Sequence, residues 1–390
     1  MTVSGRGAHY GAILTTSTIF FMSVNPTPSY VRYADGVEEI QPNEEQLTNE
    51  TVESMARVNR FMFEKNRHAI RDAHAKSHGI LRGELHVYPN LSAHLAQGMF
   101  QEPKVYPVIL RLSSAPGSID PDTQSAVKGL AVKIIGVEGK KFLADQADEV
   151  TQDFLMVNDT IIPTGDIKSY HDMQLRQEKV FLHAPEVVTK IMTEAGTLIN
   201  QALDAVGIKK EIPLVVPPHP NNNILGETFT TLGALRFGDY VSKISVAPLS
   251  ANVQVLAGEQ VEITNPAGWR DLVVEFFRTQ SAEYELRAQL CTDLKTMPVE
   301  DASVDWPQDQ SPYQALGKIV IPAQNAFSPA RRVFADDVLS FNPFHCLPEH
   351  VPLGSINRAR IKAYETSAAY RHHMNAQPRL EPRDISVLPD

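Results

Sequence analysis

Cysteine is scarce. The two residues, Cys291 and Cys346, are too few for a disulfide framework and lack CxxC spacing. Both read as small buried hydrophobes, and a reducing, cytoplasmic setting suits such a chain. Positive charge is also short: 36 Lys and Arg face 46 Asp and Glu, for a formal net charge of −10. A surface of that sign repels phosphate backbones, which argues against nucleic acid as a partner. No apolar run reaches the length of a membrane span. Neither GxGxxG nor GxxxxGK[ST] occurs, so the nucleotide-binding folds lose their signature.

One stretch, residues 12–24 (AILTTSTIFFMSV), has the length of a signal h-region. No Lys or Arg cluster precedes it, no A-x-A site follows, and Met22 lies inside it. We therefore expect residues 1–40 to be a disordered lead or to lie upstream of the true start. Residues 41–390 are expected to form one domain, a length that supports a sizeable core.

Residues 44–72 carry apolar positions at helical spacing (Val52, Met55, Val58, Phe61, Met62), with Thr51 as a candidate cap. After Gly79 the texture turns to strands, at 83–89, 105–114, 129–137 and 153–158. A helix is expected at 184–206, and PPHPNNN at 217–223 must be extended. Strands return at 239–247, 252–256, 284–292 and 316–321, with a helix at 267–281 among them. A Pro-rich run, FNPFHCLPEHVPLG, leads into a strong helix at 355–374. Strands in sequence order with several short connections favour an α+β fold: a closed antiparallel barrel with peripheral helices.

The last helix carries the chemistry. At about 100° per residue, Arg360, Tyr364 and Arg371 fall within about 40° of one another on its surface. Packing of a phenol under arginine stems would satisfy that pattern. A sharper reading is available: a free phenol titrates near about 10 and is a poor ligand at neutral pH, but a guanidinium beside it favours the phenolate. A phenolate can bind Fe(III), and tyrosinate is the axial ligand catalase uses on its haem.

The pattern Arg360-x3-Tyr364-x6-Arg371 resembles the proximal helix of haem catalases. Residues 71–79, RDAHAKSHG, resemble that family's distal Arg-x-x-His-Ala-Lys. Arg111-Leu112-Ser113 is similar to its Arg-Phe-Ser strand, Gly129–Lys133 to its Gly-Phe-Ala-Val-Lys strand, and Asp153–Asn158 to the strand that ends at its distal Asn. Phe341-Asn342-Pro343 looks like the segment before the proximal helix. The matches run in one order over residues 71–371. The resemblance implies a haem b iron held by Tyr364, with Arg360 on the phenolate and Arg71, Arg111 and Arg371 as partners of the haem propionates. It implies His74 and Asn158 as the catalytic pair on the opposite side, with Ser113 holding the His74 ring. The expected function is decomposition of hydrogen peroxide, or use of a hydroperoxide as oxidant. The alternative is a fatty-acid hydroperoxide isomerase or lyase of the allene oxide synthase kind. A haem carrier or sensor is a third reading, against which the distal His–Asn pair argues.

Two departures from the family matter. Ala126 stands where the family has the Asp of Asp-Pro-Arg, which implies slower hydrogen peroxide turnover and a channel suited to bulkier, less polar substrates. Ala73 precedes His74, where the allene oxide synthases carry a Thr that suppresses catalatic activity. The two cues point in opposite directions. The chain ends soon after the proximal helix, which argues against the family's NADPH site. His86 reads as a paired sheet residue and His219 as a loop residue. His345, His350, His372 and His373 read as structural or solvated, and His78 as a surface residue. A homo-oligomer is compatible with the composition.

Overall fold

In the computed structural model of the chain, residues 1–2, 29–34, 36–183 and 220–390 are described. The segment 12–24, the helix expected at 184–206 and residues 217–219 with His219 lie outside them.

Nine strands form one antiparallel sheet: β1 (Lys76–Val87), β2 (Val105–Ser114), β3 (Lys128–Ile135), β4 (Thr151–Val157), β5 (Phe229–Thr230), β6 (Leu235–Phe237), β7 (Tyr240–Pro248), β8 (Ala282–Leu290) and β9 (Gln314–Ile321). The order β5-β4-β3-β2-β1-β9-β8-β7 closes on itself through Phe229↔Val246 and Thr230↔Ser245. The result is an eight-stranded closed barrel, with β6 folded back onto β7 at its rim. The expected α+β architecture is therefore observed.

Period two along β2 shows how the barrel is built. Val108, Leu110 and Leu112 point inward, into a core shared with Leu81, Leu85, Leu286 and Ile319. The intervening Ile109 packs outward against Ala335, Leu339 and Phe341. Arg111 and Ser113 continue that outward face, so the strand's own pleat delivers them to whatever covers the barrel.

The cover comes from helices. α1 (Glu44–Asn66), α2 (Ile167–His183) and α4 (Ser355–Met374) pack on one another outside the barrel. α3 (Gly268–Thr279) closes one end of the barrel with Trp269, Val273 and Phe277. Arg358 ties α4 down: it hydrogen-bonds Glu44 at the start of α1, as well as Glu38 and Glu300. Those carboxylates outweigh its partial burial and hold it firmly charged. No helix among the described residues is long and apolar enough to cross a membrane.

Several expectations need correction. α1 stops at Asn66 rather than at residue 72, because Arg67 takes a left-handed conformation (φ 54°) and its N–H caps Phe63 O. Thr51 is inside that helix, not its cap, since Glu44–Glu50 is helical too. Residues 251–254 form a single helical turn where a strand was expected: Val253 is buried while Val255 is 76% exposed, so the alternation is not one of faces. β1 begins seven residues before the strand expected at residue 83. Its polar start, Lys76-Ser77, pairs with Ser114 and Ser113, and a bulge follows before Gly79. The bulge turns His78 inward. That ring is fully buried and bonded to Ser114 Oγ at 2.6 Å, which corrects its reading as a surface residue. α2 was not anticipated.

One buried ion cluster fixes the wall on which the site depends. Lys133 of β3 donates to Asp153 of β4 at 2.8 Å and to Glu381, and Asp153 also accepts from Asn342 N at 2.9 Å. Burial would lower the Lys133 ammonium, but the two carboxylates outweigh it and raise it. Asp153, His345 and Glu381 bring three ligand-type atoms within 4.8 Å. The Lys133 ammonium bonds all three residues, so the cluster is an ion-pair network rather than a metal site. Lys133→Ala removes the buried cation these two carboxylates share and should cost about 3–5 kcal/mol in denaturant unfolding; a loss below about 1 kcal/mol would contradict the assignment.

Candidate active site

A cavity of about 350 Å³ lies between the outward face of β2–β4 and helix α4. Met55 of α1, Tyr170 of α2 and the Phe341-Asn342 segment complete its walls. Helix α4 faces it with Ile356, Ala359, Arg360, Ala363, Tyr364, Ser367, Ala368 and Arg371. That spacing of three and four residues is one helical stripe, and the small alanines leave room beside Tyr364.

On α4, Arg360 Nη2 donates to the Tyr364 oxygen at 2.8 Å, and its Nη1 donates to Asn357 Oδ1 at 2.8 Å. Asn357 is in turn anchored by donating to Leu353 O at 2.7 Å. The guanidinium is thus aimed at the phenol by a neighbour one turn back.

Across the cavity stands His74. It leaves the loop after α1 with φ 54°, and its N–H extends the β2 ladder by bonding Ala115 O at 2.8 Å. Its Nδ1 meets Ser113 Oγ at 3.0 Å. Gly129 O lies 3.5 Å from Ser113 Oγ; with the hydroxyl turned toward that carbonyl, His74 Nδ1 carries the proton and Nε2 the lone pair. Gly129 makes room for the ring: a Cβ there would lie 2.4 Å from Nδ1. Gly129→Ala should therefore displace His74 while leaving the barrel intact. A changed His74 imidazole resonance at unchanged thermal stability would show this, and an unshifted resonance would refute it.

Burial, then Arg111, Arg360 and Arg71, push His74 down to about 3. The ring is neutral at physiological pH. His78 and His350 are likewise pushed to about 3, chiefly by burial. In the unfolded chain all three bind protons below about pH 6.5; in the folded chain they do not until about 3. Stability is therefore lost as pH falls through that window, by up to about 1.4 kcal/mol per pH unit for each ring. Denaturant midpoints measured from about pH 7 to about pH 4 should fall steadily, and a constant midpoint would contradict the burial of these rings.

One end of the cavity is strongly cationic. Arg71, Arg111 and Arg371 converge on a π-helical turn, Phe334–Val338. Arg71 donates to Ala335 O at 2.6 Å and Leu339 O at 3.0 Å, Arg111 to Asp336 Oδ1 at 3.0 Å, and Arg371 to Asp336 O and to Ser340 Oγ at 3.1 Å. Asp336 is the carboxylate that directly contacts this trio, through Arg71 and Arg111. Burial pushes Arg71 well down, helped by Arg111 and Arg371, and pushes Arg371 to about 10.

The structure thus brings together His74, Ser113, Arg71, Arg111, Arg360, Tyr364 and Arg371 around one cavity. Asn158 is the exception. It follows β4 but is not among the lining residues, and its amide is engaged elsewhere. Asp72 and Tyr170 are among the lining residues that escaped the sequence reading, as is Arg379. Asp72 accepts from Ser367 Oγ of α4 at 3.0 Å, and burial raises its carboxyl. Tyr170 is pushed up to about 12 by burial, with Asp72 and Tyr364 adding to it, and so stays a neutral phenol. Asp72 stands inside the RDAHAK stretch and could have been weighed there. Tyr170 lies in a helix with no motif around it. His86 pairs with Glu84 at 3.0 Å, and His345, His350 and His372 are buried in the structure. His373 is exposed, and both cysteines are free and buried.

No protein-family model matches the sequence, and no curated protein is significantly similar to it. Solved structures do match. A fungal catalase aligns with TM-score 0.53 and 16% identity, over 89% of this chain and 66% of its own. A bacterial catalase aligns with TM-score 0.53 and 18% identity, over 89% and 64%. Catalase A from Saccharomyces cerevisiae aligns with TM-score 0.53 and 17% identity, over 90% and 70%. The chain spans about two thirds of the length of these catalases. At this identity the likeness is one of architecture: the chain has a catalase-like fold.

Proposed function

We propose that the cavity binds haem b and that the protein is a haem hydroperoxidase, acting on hydrogen peroxide or an organic hydroperoxide. The observation that carries the proposal is the pair of opposed sites in one cavity. Tyr364 with its Arg360 donor stands on one wall, and the neutral His74 held by Ser113 stands on the other. The catalase-like fold supports it.

The residues fit the cofactor. Arg71, Arg111 and Arg371, with Asp336 as the one carboxylate directly bonded to them among the described residues, leave positive charge that two propionates would neutralise, and arginine suits planar carboxylates. Tyr364 would supply an oxygen donor for iron, and Arg360 donates to that same oxygen at 2.8 Å. When bound, the haem supplies the ferric iron at which a peroxide O–O bond is cleaved. His74 does the proton work. Its Nε2 lone pair can take the proton from one peroxide oxygen and return it to the other. Ser113 keeps that tautomer in place. The remaining wall excludes water with Leu155, Val157, Ile162 and Leu232.

That wall also favours the alternative, a fatty-acid hydroperoxide isomerase or lyase on the same haem. Asp72 is the one carboxylate among the described residues that line the cavity, and Ala126 lies outside it, beside Ser125 and Gln124. Among the described residues, nothing acidic lines the apolar side. An oxygen electrode run beside chromatography of a lipid hydroperoxide separates the readings. Oxygen release from hydrogen peroxide without lipid conversion supports the first. Lipid conversion without oxygen supports the second. Inertness toward both contradicts both.

A further inference from the structure

Asn158 is bound twice to the backbone of one residue, Lys128. Its N–H donates to Lys128 O at 3.0 Å, and its Oδ1 accepts from Lys128 N at 2.7 Å. A backbone N–H can only donate, so this contact fixes which side of the amide carries oxygen. The nitrogen faces the other way and donates to Glu227 Oε1 at 3.0 Å. Glu227 is itself well placed to hold it. It directly follows the single turn Ile224–Gly226, which is buried throughout and capped by Asn223. Lys128 Nζ, on a side chain only 1% exposed, lies over the Trp269 ring, finds no hydrogen-bond partner among the described residues, and is attracted electrostatically by Glu227.

We propose that Glu227 is a positioning residue: it holds the Asn158 amide turned out of the cavity and withholds its N–H donor from any ligand opposite Tyr364. A hydrogen bond to a carboxylate is roughly twice as strong as one to a neutral oxygen, so a peroxide or water in the cavity does not win the amide back. Proton handling then falls to His74 alone. The catalytic consequence rests on the haem reading above; the clamp itself does not.

The test uses Glu227→Leu, which removes the acceptor, and Glu227→Gln, which keeps one. Selective 15N labelling of asparagine in the haem-free protein reads hydrogen exchange at the Asn158 amide. We expect slow exchange in the wild type and in Glu227→Gln, and fast exchange in Glu227→Leu. In the haem-loaded protein, Glu227→Leu should bind cyanide about fivefold more tightly, the net worth of one hydrogen bond regained. That gain should vanish in Glu227→Leu/Asn158→Ala. Unchanged amide exchange in Glu227→Leu overturns the proposal, as does a gain in cyanide binding that survives removal of Asn158. If Glu227→Leu does not fold, the wild type decides: exchange as fast as at a solvent-facing asparagine overturns the clamp. If the protein takes up no haem, the functional reading falls while the exchange comparison still judges the clamp.

Discussion

Tyr364→Phe should fold normally and fail to hold haem. The substitution removes one oxygen and keeps the ring, over which the Arg360 guanidinium lies 5.0 Å from the centroid. Arg360 retains its bond to Asn357, so the cost to stability is confined to one unmet donor, about 1–3 kcal/mol. The cost to haem affinity is far larger. Changing a residue that only supports a ligand typically costs about 10–100-fold, and here the ligand itself is removed. Spectrophotometric haem titration of the two proteins measures the difference. Equal affinity and an identical ferric spectrum would mean that Tyr364 is a packed phenol and nothing more.

His74→Ala should give the opposite pattern: haem retained, peroxide reaction lost. General acid–base groups contribute about 10²–10⁴-fold, and among the described residues no second imidazole lines the cavity. Stopped-flow reaction with peroxide should slow by that factor while the Soret band stays in place. The wild-type rate carries a further signature. With His74 held near 3, its base form is fully populated between about pH 5 and about pH 8, so the rate should be flat there. A fall centred near about 6.5 would mean a solvated ring with an ordinary value. An unslowed His74→Ala protein would remove the residue from the mechanism.

Legibility in the sequence followed the strength of local pattern. Strand β2 coincides with the expected 105–114, because its core-facing and cavity-facing residues alternate at period two. Helix α4 coincides with 355–374, because Gly354 breaks the chain before it (φ 90°) and good helix formers fill it. The Arg360–Tyr364 contact was readable from spacing alone, since residues four apart share a helix face. Long-range geometry was not. Nothing local says that β1 starts in the polar Lys76-Ser77, whose pairing depends on Ser113 and Ser114. Nothing local says that His78 is swung inward by a bulge, or that Asp336 collects the guanidiniums. Tyr170 enters the cavity only because α2 packs on α1 and α4. Lys133 and Asp153 belong to the stretches that carried the resemblance, yet their observed role is an ion pair behind the cavity wall. Asn158 shows the limit from the other side: its place in the chain was legible, and the direction of its amide was not.

The central claim is that one haem fits between Tyr364 and His74. Titrating the purified wild-type protein with ferric haem tests it most directly. The account predicts a Soret band that saturates at one haem per chain and shifts when cyanide is added. Haem that stays free, or that binds equally well after Tyr364, Arg71, Arg111 and Arg371 are replaced, would contradict it.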